Sequence, residues 1–369
     1  LLFFFIPMAT KIATTLGGET FTWNERPFVR AEVPAGDNKG KIFTIAQPLA
    51  ERYQIGRFFA SGGMGLLVEG RDLRTQSRVL IKTNLFYDVI PYARVRDQEG
   101  FTNQLRLPRK TLEMERRILV LLRNEGCNAV PHPNDFVYDA NPQLLGPYAT
   151  DDRKEWQYGD TDMVASEPYL VMEAVHGQSL ADILEKSPNK RITETRALRI
   201  MSQVAAVFQI LHQPKPMKAG MTWQLIYQDL KPSNLIVSTQ DRTTVVDLGG
   251  CQLINLDTGQ KLLPGAATPG YCPPECEESY QTLTPASDVY TVGSNLFHLV
   301  TGRSPQSLLP PHLAAGAPRA ATFDAKLLDG CCRPDTRALI LRCLDPDPRR
   351  RFPDATSLHQ ALVSILLAS

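Results

Sequence analysis

The sequence predicts an α+β fold in two lobes, the first rich in strands and the second in helices. Three observations carry this. Short β-branched and aromatic runs crowd the stretch from Tyr53 to Lys82, a glycine turn joins two of them, and apolar stripes of helical period dominate after Thr193. With 369 residues, 43% hydrophobic and 21% charged, the chain has enough apolar material for a core in each lobe and is too apolar for global disorder.

The elements follow in order. Residues 1–50 mix Gly17-Gly18, Pro27, Pro34 and Gly36 without a sustained period, and are expected to be turns and irregular extension of unassigned role. The apolar opening from Leu1 to Met8 contains Pro7, lacks a basic stretch before it, and is far shorter than the ~20 residues of a membrane span. The true start is expected either upstream or at Met8. Tyr53 to Phe59, Leu66 to Val68 and Arg78 to Lys82 read as three strands. Thr111 to Arg123 reads as a helix, with Leu112, Glu115, Ile118, Leu119 and Leu122 on one face. The polar, proline-bearing stretches 84–110 and 139–166 are expected as insertions or long loops, and 213–224 as an expanded turn. Tyr169 to Glu173 is a buried strand. Thr193 caps a helix whose stripe of Leu198, Met201, Ala205, Phe208 and Leu211 ends before Pro214. Leu235 to Val237 and Thr243 to Val246 are short strands, and beyond Asp288 the chain is helical with proline-rich connections.

Bulk properties exclude some functions. A net charge of +1 and a pI of about 7.7 give no electrostatic case for nucleic acid or a membrane surface as partner. The seven cysteines contain no CxxC pair, and Cys272 with Cys276 lacks a second pair to complete a zinc site. Free thiols in a reducing compartment, taken as the cytoplasm, are the expectation.

The residues that carry chemistry come in two groups. Gly62-Gly63-Met64-Gly65 sits between two strands, where missing side chains let backbone N–H groups approach phosphate oxygens; a plain tight hairpin is the alternative. Lys82 ends an apolar strand, either as a solvated strand end or as a fixed cation for phosphates. The second role needs an acidic partner, for which Glu115 fits the helix face better than Glu113. The second group is tighter. Asp229, Lys231 and Asn234 lie within six positions, and Asp247 closes a strand about 18 residues later. Phosphoryl transfer needs a carboxylate to take or orient the attacking hydroxyl, oxygen ligands for magnesium (Mg2+), and a cation on the transferring group. Asp229 supplies the first, Asn234 and Asp247 the second, Lys231 the third.

From about Tyr53 to Leu366 the chain resembles the protein kinase family, in its bacterial Ser/Thr style. Gly62, Gly63 and Gly65 match the glycine loop, Lys82 the strand lysine and Glu115 the helix glutamate. Asp229-Leu230-Lys231-Pro232-Ser233-Asn234 matches the catalytic loop, and Asp247-Leu248-Gly249 stands at the Asp-Phe-Gly motif. Thr268 to Glu275 is similar to the end of an activation segment, Ser287 to Gly293 to the start of a buried helix, and Arg351 to the arginine that pairs with a glutamate placed like Glu275. The resemblance implies a bilobal kinase fold, with residues 51–173 and 174–369 as its lobes and 1–50 as an N-terminal extension. It implies ATP bound by Phe59, Ala60, Ser61, Gly62, Gly63, Met64, Gly65, Leu67 and Lys82, with adenine held by the backbone of Glu173 and Val175. It implies Asp229, Lys231, Lys82 and Glu115 as catalytic residues, Asn234 and Asp247 as magnesium ligands, and Ser/Thr hydroxyls of proteins as acceptors.

Three departures stand out. Ala60 replaces the first glycine of the loop, Tyr227-Gln228 replace His-Arg before the catalytic aspartate, and Leu248 replaces phenylalanine. Gln228 is neutral and cannot grip a phosphorylated activation segment by charge-assisted pairing, so activity is expected not to require that phosphate. A catalytically weak pseudokinase acting as a nucleotide-binding or scaffold module is the alternative reading.

Overall fold

The computed structural model describes residues 18–23, 25–36, 38–62, 65–84, 98–141, 166–216, 220–261, 267–277, 283–313 and 319–368, with side chains of the first helix from 109 onward. They fall into two compact units, Leu1–Glu113 with Pro133–Ala174, and Met114–His132 with Val175–Ser369. The sequence places one division at 173/174 and keeps 114–132 in the first lobe; the second unit takes that stretch.

The first unit contains two antiparallel sheets. Strands β1 (Glu19–Trp23), β2 (Arg26–Glu32) and β3 (Ile42–Ala46) form one, in the order β1-β2-β3. Strands β4 (Tyr53–Gly62), β5 (Gly65–Asp72), β6 (Arg78–Asn84), β7 (Pro133–Ala140) and β8 (Ser166–Glu173) form the other, in the order β4-β5-β6-β8-β7. The period of two sorts β5 and β6: Leu66, Val68, Val79 and Ile81 are buried on one face, while Leu67, Leu80 and Lys82 stand half-buried on the other. The first of these faces shares one hydrophobic core with Val29, Ala31, Val33, Phe43 and Ile45 of the N-terminal sheet. This is sheet-on-sheet packing. At its margins, Arg26 grips Asp139 with two bonds of 2.6 and 2.9 Å. The Gln47 amide also pairs with both backbone groups of Ile55 on β4, at 3.0 and 2.8 Å.

Four sequence expectations need correction. Residues 1–50 are not irregular extension: from Glu19 to Ala46 they form a sheet. Its strands are short, Phe28 and Val29 are both fully buried, and β3 is buried on consecutive residues, so no alternation marks them. The stretch 84–110 is helical from residue 98, because helix α1 runs Gln98–Asn124 with Pro108 inside it, where proline reads as a stop; residues 85–97 lie outside the described residues. The stretch 139–166 ends in strand at both sides, Asp139-Ala140 in β7 and Ser166 in β8, with 142–165 outside the described residues. In 213–224 the chain is partly strand, with β10 (Lys215–Pro216) and the start of β11 (Thr222–Ile226) on either side of 217–219, which lie outside the described residues.

One buried group in the first unit has a measurable signature. Glu167 on β8 is fully buried, accepts from the Thr83 hydroxyl at 3.3 Å and keeps Oε2 without a partner. Burial pushes its carboxyl up to about 8, against the pull of the Arg109 guanidinium and the Thr83 hydroxyl. A raised acid favours the folded state fully below its unfolded pKa and loses that advantage as pH rises through about 8. The slope across that window is about 1.4 kcal/mol per pH unit. Glu167→Gln keeps a neutral side chain of the same shape. Its melting temperature is expected to match the parent near about pH 5 and exceed it near about pH 9. Coincident melting curves at the higher pH would count against a buried charge at Glu167.

The second unit is mainly helical. Helix α2 (Leu180–Lys186) is followed by α3 (Glu194–Leu211), whose Thr193 cap accepts from the Arg196 N–H. Strand β9 (Gln178–Ser179) joins β12 (Leu235–Val237) and β13 (Thr243–Val245) in the order β13-β12-β9, while β11 lies between β10 and β14 (Gln252–Asn255) and pairs with both. Helix α4 (Pro285–Thr301) is buried on every side from Ala286 to Phe297, so it forms the centre against which the unit is built. Gly293 lets α5 (Pro334–Cys343) approach, since a Cβ there would collide with Cys343. Helix α6 (Ala355–Leu367) completes the unit.

Candidate active site

The catalytic-loop residues converge in the second unit. After β11 the chain turns through Tyr227 and Gln228, the latter at φ 68°, a conformation a non-glycine residue holds only when its surroundings fix it. Asp288, at 0% exposure on α4, does the fixing: its carboxylate accepts from the Tyr227 N–H and the Gln228 N–H, each at 2.8 Å, and lies 2.8 Å from His212 Nε2. Asn295 Nδ2, one more residue of α4, donates to the Leu230 carbonyl at 2.9 Å. The loop is thus bolted to the most buried helix of the unit, which gives its side chains a rigid support.

Asp229 is the hub. Lys231 Nζ donates to its Oδ2 at 2.9 Å and to Thr268 Oγ1 at 2.9 Å, and the Thr268 hydroxyl donates to Asp229 Oδ1 at 2.5 Å. Asn234 Nδ2 donates to the Asp229 carbonyl at 2.9 Å. Burial raises the Asp229 carboxyl above its ordinary value, opposed by Lys231 and the Thr268 hydroxyl and reinforced by the nearby Asp247 charge. Asp247 follows β13 in the left-handed region, φ 59°, at the start of the turn Leu248–Gly250. The Tyr227 hydroxyl donates to the carbonyl of Val246, just before it, at 2.7 Å. The tyrosine in the place of histidine therefore ties the catalytic loop to the strand end that presents Asp247. Leu248 is buried, as an apolar replacement for phenylalanine must be.

Asn234 and Asp247 suit a hard divalent cation. The Asn234 NH2 group is spent on Asp229, which leaves its amide oxygen as the donor, and Asp247 adds carboxylate oxygens. Among the described residues no three His, Cys, Asp or Glu side chains gather as a metal cage. Two protein ligands complemented by phosphate and water oxygens are the usual environment of magnesium.

Gln228 donates to Cys276 Sγ at 3.5 Å, and its buried Oε1 has no partner. Burial pushes the Cys276 thiol well above its ordinary value, so the contact is neutral on both sides. Glu275 and Arg351 form the pair implied by the resemblance, at 2.7 and 2.9 Å, fully buried. Glu115 is buried on α1 beside Ile118 and Leu119, while its rival Glu113 is half-buried. Val175 is half-buried.

The remaining candidates lie in the first unit. The β4–β5 ladder closes with Gly62 opposite Gly65; Gly63 and Met64, expected at its tip, lie outside the described residues. Ala60 pairs with Leu67, Ser61 with Leu66, and Phe59 is exposed. Lys82 pairs with Leu67 and Leu170, and its Cε is 3.8 Å from where a Gly65 Cβ would stand, so the lysine runs beneath the hairpin. Glu173 closes β8 opposite Val79. Sequence reasoning placed Thr268 and Asp288 in their motifs but missed their direct parts in the site. No local spacing links either to Asp229.

A fold with a strand-rich first unit, a helical second unit and this loop geometry defines a protein kinase domain. A family model described as the protein kinase domain matches residues 157–363, more than half of the chain, and the chain belongs to that family. It is 25% identical over 326 residues to the serine/threonine-protein kinase PknB of Mycolicibacterium smegmatis, covering 87% of this chain and 44% of that protein. It is 24% identical over 333 residues to PknB of Mycobacterium tuberculosis, covering 87% and 44%, and 27% identical over 205 residues to PknA of Corynebacterium glutamicum, covering 54% and 39%. The chain thus spans less than half the length of these relatives. No helix among the described residues is long and apolar enough to cross a membrane.

Proposed function

We propose that the chain transfers the γ-phosphoryl group of Mg-ATP to Ser/Thr hydroxyls of proteins, in a reducing, cytoplasmic setting. The observation that carries this is the Asp229 carboxylate, held between Lys231, Thr268 and Asn234. The acceptor hydroxyl attacks the γ-phosphorus, its proton passes to Asp229, and the bond to the β-phosphate oxygen breaks to release ADP. Lys231 neutralises charge on the transferring group. Asn234 and Asp247 hold magnesium, which when bound screens the phosphate charge. Lys82, with Glu115 as its acidic partner, and the backbone of Ser61 to Gly65 orient the phosphates. Phe59, Ala60 and Leu67 line the nucleotide, and backbone groups of Glu173 and Val175 read its adenine.

The neutral Gln228–Cys276 contact supports activity without an activation-segment phosphate, since neither group recruits an anion. A scaffold role is the weaker reading, because Ala60, Tyr227, Gln228 and Leu248 leave the carboxylate, the lysine and the metal donors in place. One assay tests both points: Mg-ATP turnover with phosphoamino-acid analysis, before and after phosphatase treatment. Phosphoserine or phosphothreonine is expected at a rate unchanged by the phosphatase and abolished by EDTA. No transfer at all rejects the kinase reading. Loss of transfer after phosphatase rejects the independence.

A further inference from the structure

We infer that the N-terminal sheet is a brace that sets the position of the phosphate-binding hairpin, acting through the turn between β2 and β3. The turn is internally ordered. Val33 and Lys41 close it, with Val33 N–H to Lys41 O at 2.8 Å and Gly40 N–H to Val33 O at 2.9 Å, and Lys41 Nζ reaches Asn38 Oδ1 at 2.8 Å. Its tip meets the end of β4: the Ser61 hydroxyl donates to the Ala35 carbonyl at 2.9 Å. Gly36, at φ +85°, lies so close that a Cβ would sit 2.5 Å from the Ser61 carbonyl oxygen and 2.7 Å from its Oγ. Only a glycine allows this approach of one backbone to the other.

The contact falls where β4 needs help. This strand is at the edge of its sheet, and its pairing with β5 is interrupted between Ile55 and Phe58 and again between Phe58 and Ala60. Bulged, edge-strand backbone is held by fewer ladder bonds than a regular central strand. Ahead of the bulges, Gln47 clamps Ile55; beyond them, Ala35 and Gly36 hold Ser61. The clamp does not float, because Val29, Ala31, Val33, Phe43 and Ile45 are locked into the same core as Leu66 and Val68. Ala35 and Gly36 are positioning residues; they act on nucleotide only through Ser61 and its neighbours. That last step rests on the proposed nucleotide role of the hairpin.

The test uses the full chain. In nucleotide-free protein, hydrogen exchange of peptides spanning 53–62 and 65–72 is expected to quicken at least threefold in Gly36→Val, with the strands 235–237 and 243–245 unchanged. Ser61→Ala, which removes only the hydroxyl, is expected to give a smaller change in the same peptides, and Ser61→Thr to restore protection. These two report even if Gly36→Val does not fold. Unchanged exchange in the folded variants overturns the brace. With Mg-ATP, the KM for ATP is expected to rise severalfold in Gly36→Val, which lies outside the proposed nucleotide site, while kcat stays within about twofold, the pattern of lost ground-state positioning. Faster exchange with an unchanged KM overturns the link to nucleotide. A parent protein that neither binds nor turns over ATP refutes the kinase reading instead, and leaves the exchange data to decide the brace.

Discussion

Asp229→Asn is expected to lower phosphoryl transfer by about 10²–10⁴, the range for removing a positioned general base. The substitution keeps the shape of the side chain but cannot take the acceptor proton. It also turns an amide NH2 or a weaker acceptor toward Lys231 Nζ, now 2.9 Å from a carboxylate oxygen. The fold should not suffer. Burial already raises this carboxyl above its ordinary value, which means the folded protein carries the charge at a cost. A neutral amide relieves that cost, so the melting temperature is expected to stay level or rise while activity falls, as active sites often trade stability for reactivity. The same shift fixes the pH profile. A raised base is protonated, and idle, at pH values where an ordinary carboxylate still works, so the acid limb of kcat/KM is expected at higher pH than for an ordinary aspartate. Thr268→Val removes a donor that favours the charged form, and should move that limb further up. Initial rates against pH for the parent and both variants check this. Equal phosphate incorporation by Asp229→Asn sinks the assignment.

What could be read from the sequence was what is local. Asp229, Lys231 and Asn234 share one loop, so their spacing already brought them together, and the structure adds the bonds among them. The stripe of α3 and its Thr193 cap were legible for the same reason. Thr268 and Asp288 were not, because each reaches the loop from a distant part of the chain. The N-terminal sheet hid differently. Its strands have five to seven residues; β1 is largely exposed from Glu19 to Thr22, while β2 and β3 bury consecutive side chains, which erases the period of two that marks a half-exposed strand. Strand β7 opens on Pro133 at a sheet edge and is mostly half-buried, so it carried neither an apolar run nor a clean alternation. The Arg351–Glu275 pair was reached by family resemblance alone.

Arg351→Met is expected to be the most damaging single change to stability, at about 3–5 kcal/mol, the cost of breaking a buried ion pair from one side. The Arg351 side chain is 0% exposed and that of Glu275 4%. Its guanidinium meets Glu275 with two bonds and spends its other donors on the carbonyls of Asp345, Ala286 and Pro346, at 2.7, 3.0 and 3.2 Å. It also lies 4.8 Å from the Tyr290 ring centroid. Methionine fills the volume but leaves Glu275 a buried carboxylate supported by the Ser287 hydroxyl at 2.8 Å. Arg351→Lys should recover little, since one ammonium cannot reproduce the planar fork. The double variant Arg351→Met, Glu275→Gln should lose less than the sum of its parts, because the stranded charge is gone. Urea denaturation of the parent, Arg351→Met, Arg351→Lys, Glu275→Gln and the double variant measures this; single losses below about 1 kcal/mol would show that the pair is not the keystone its burial implies. The consequence reaches the site through the chain itself. Glu275 anchors the segment that begins at Thr268, and Thr268 is bonded to Asp229. Below its melting temperature the Arg351→Met protein is therefore expected to lose activity before it loses its fold, by letting Thr268 drift from the carboxylate it orients.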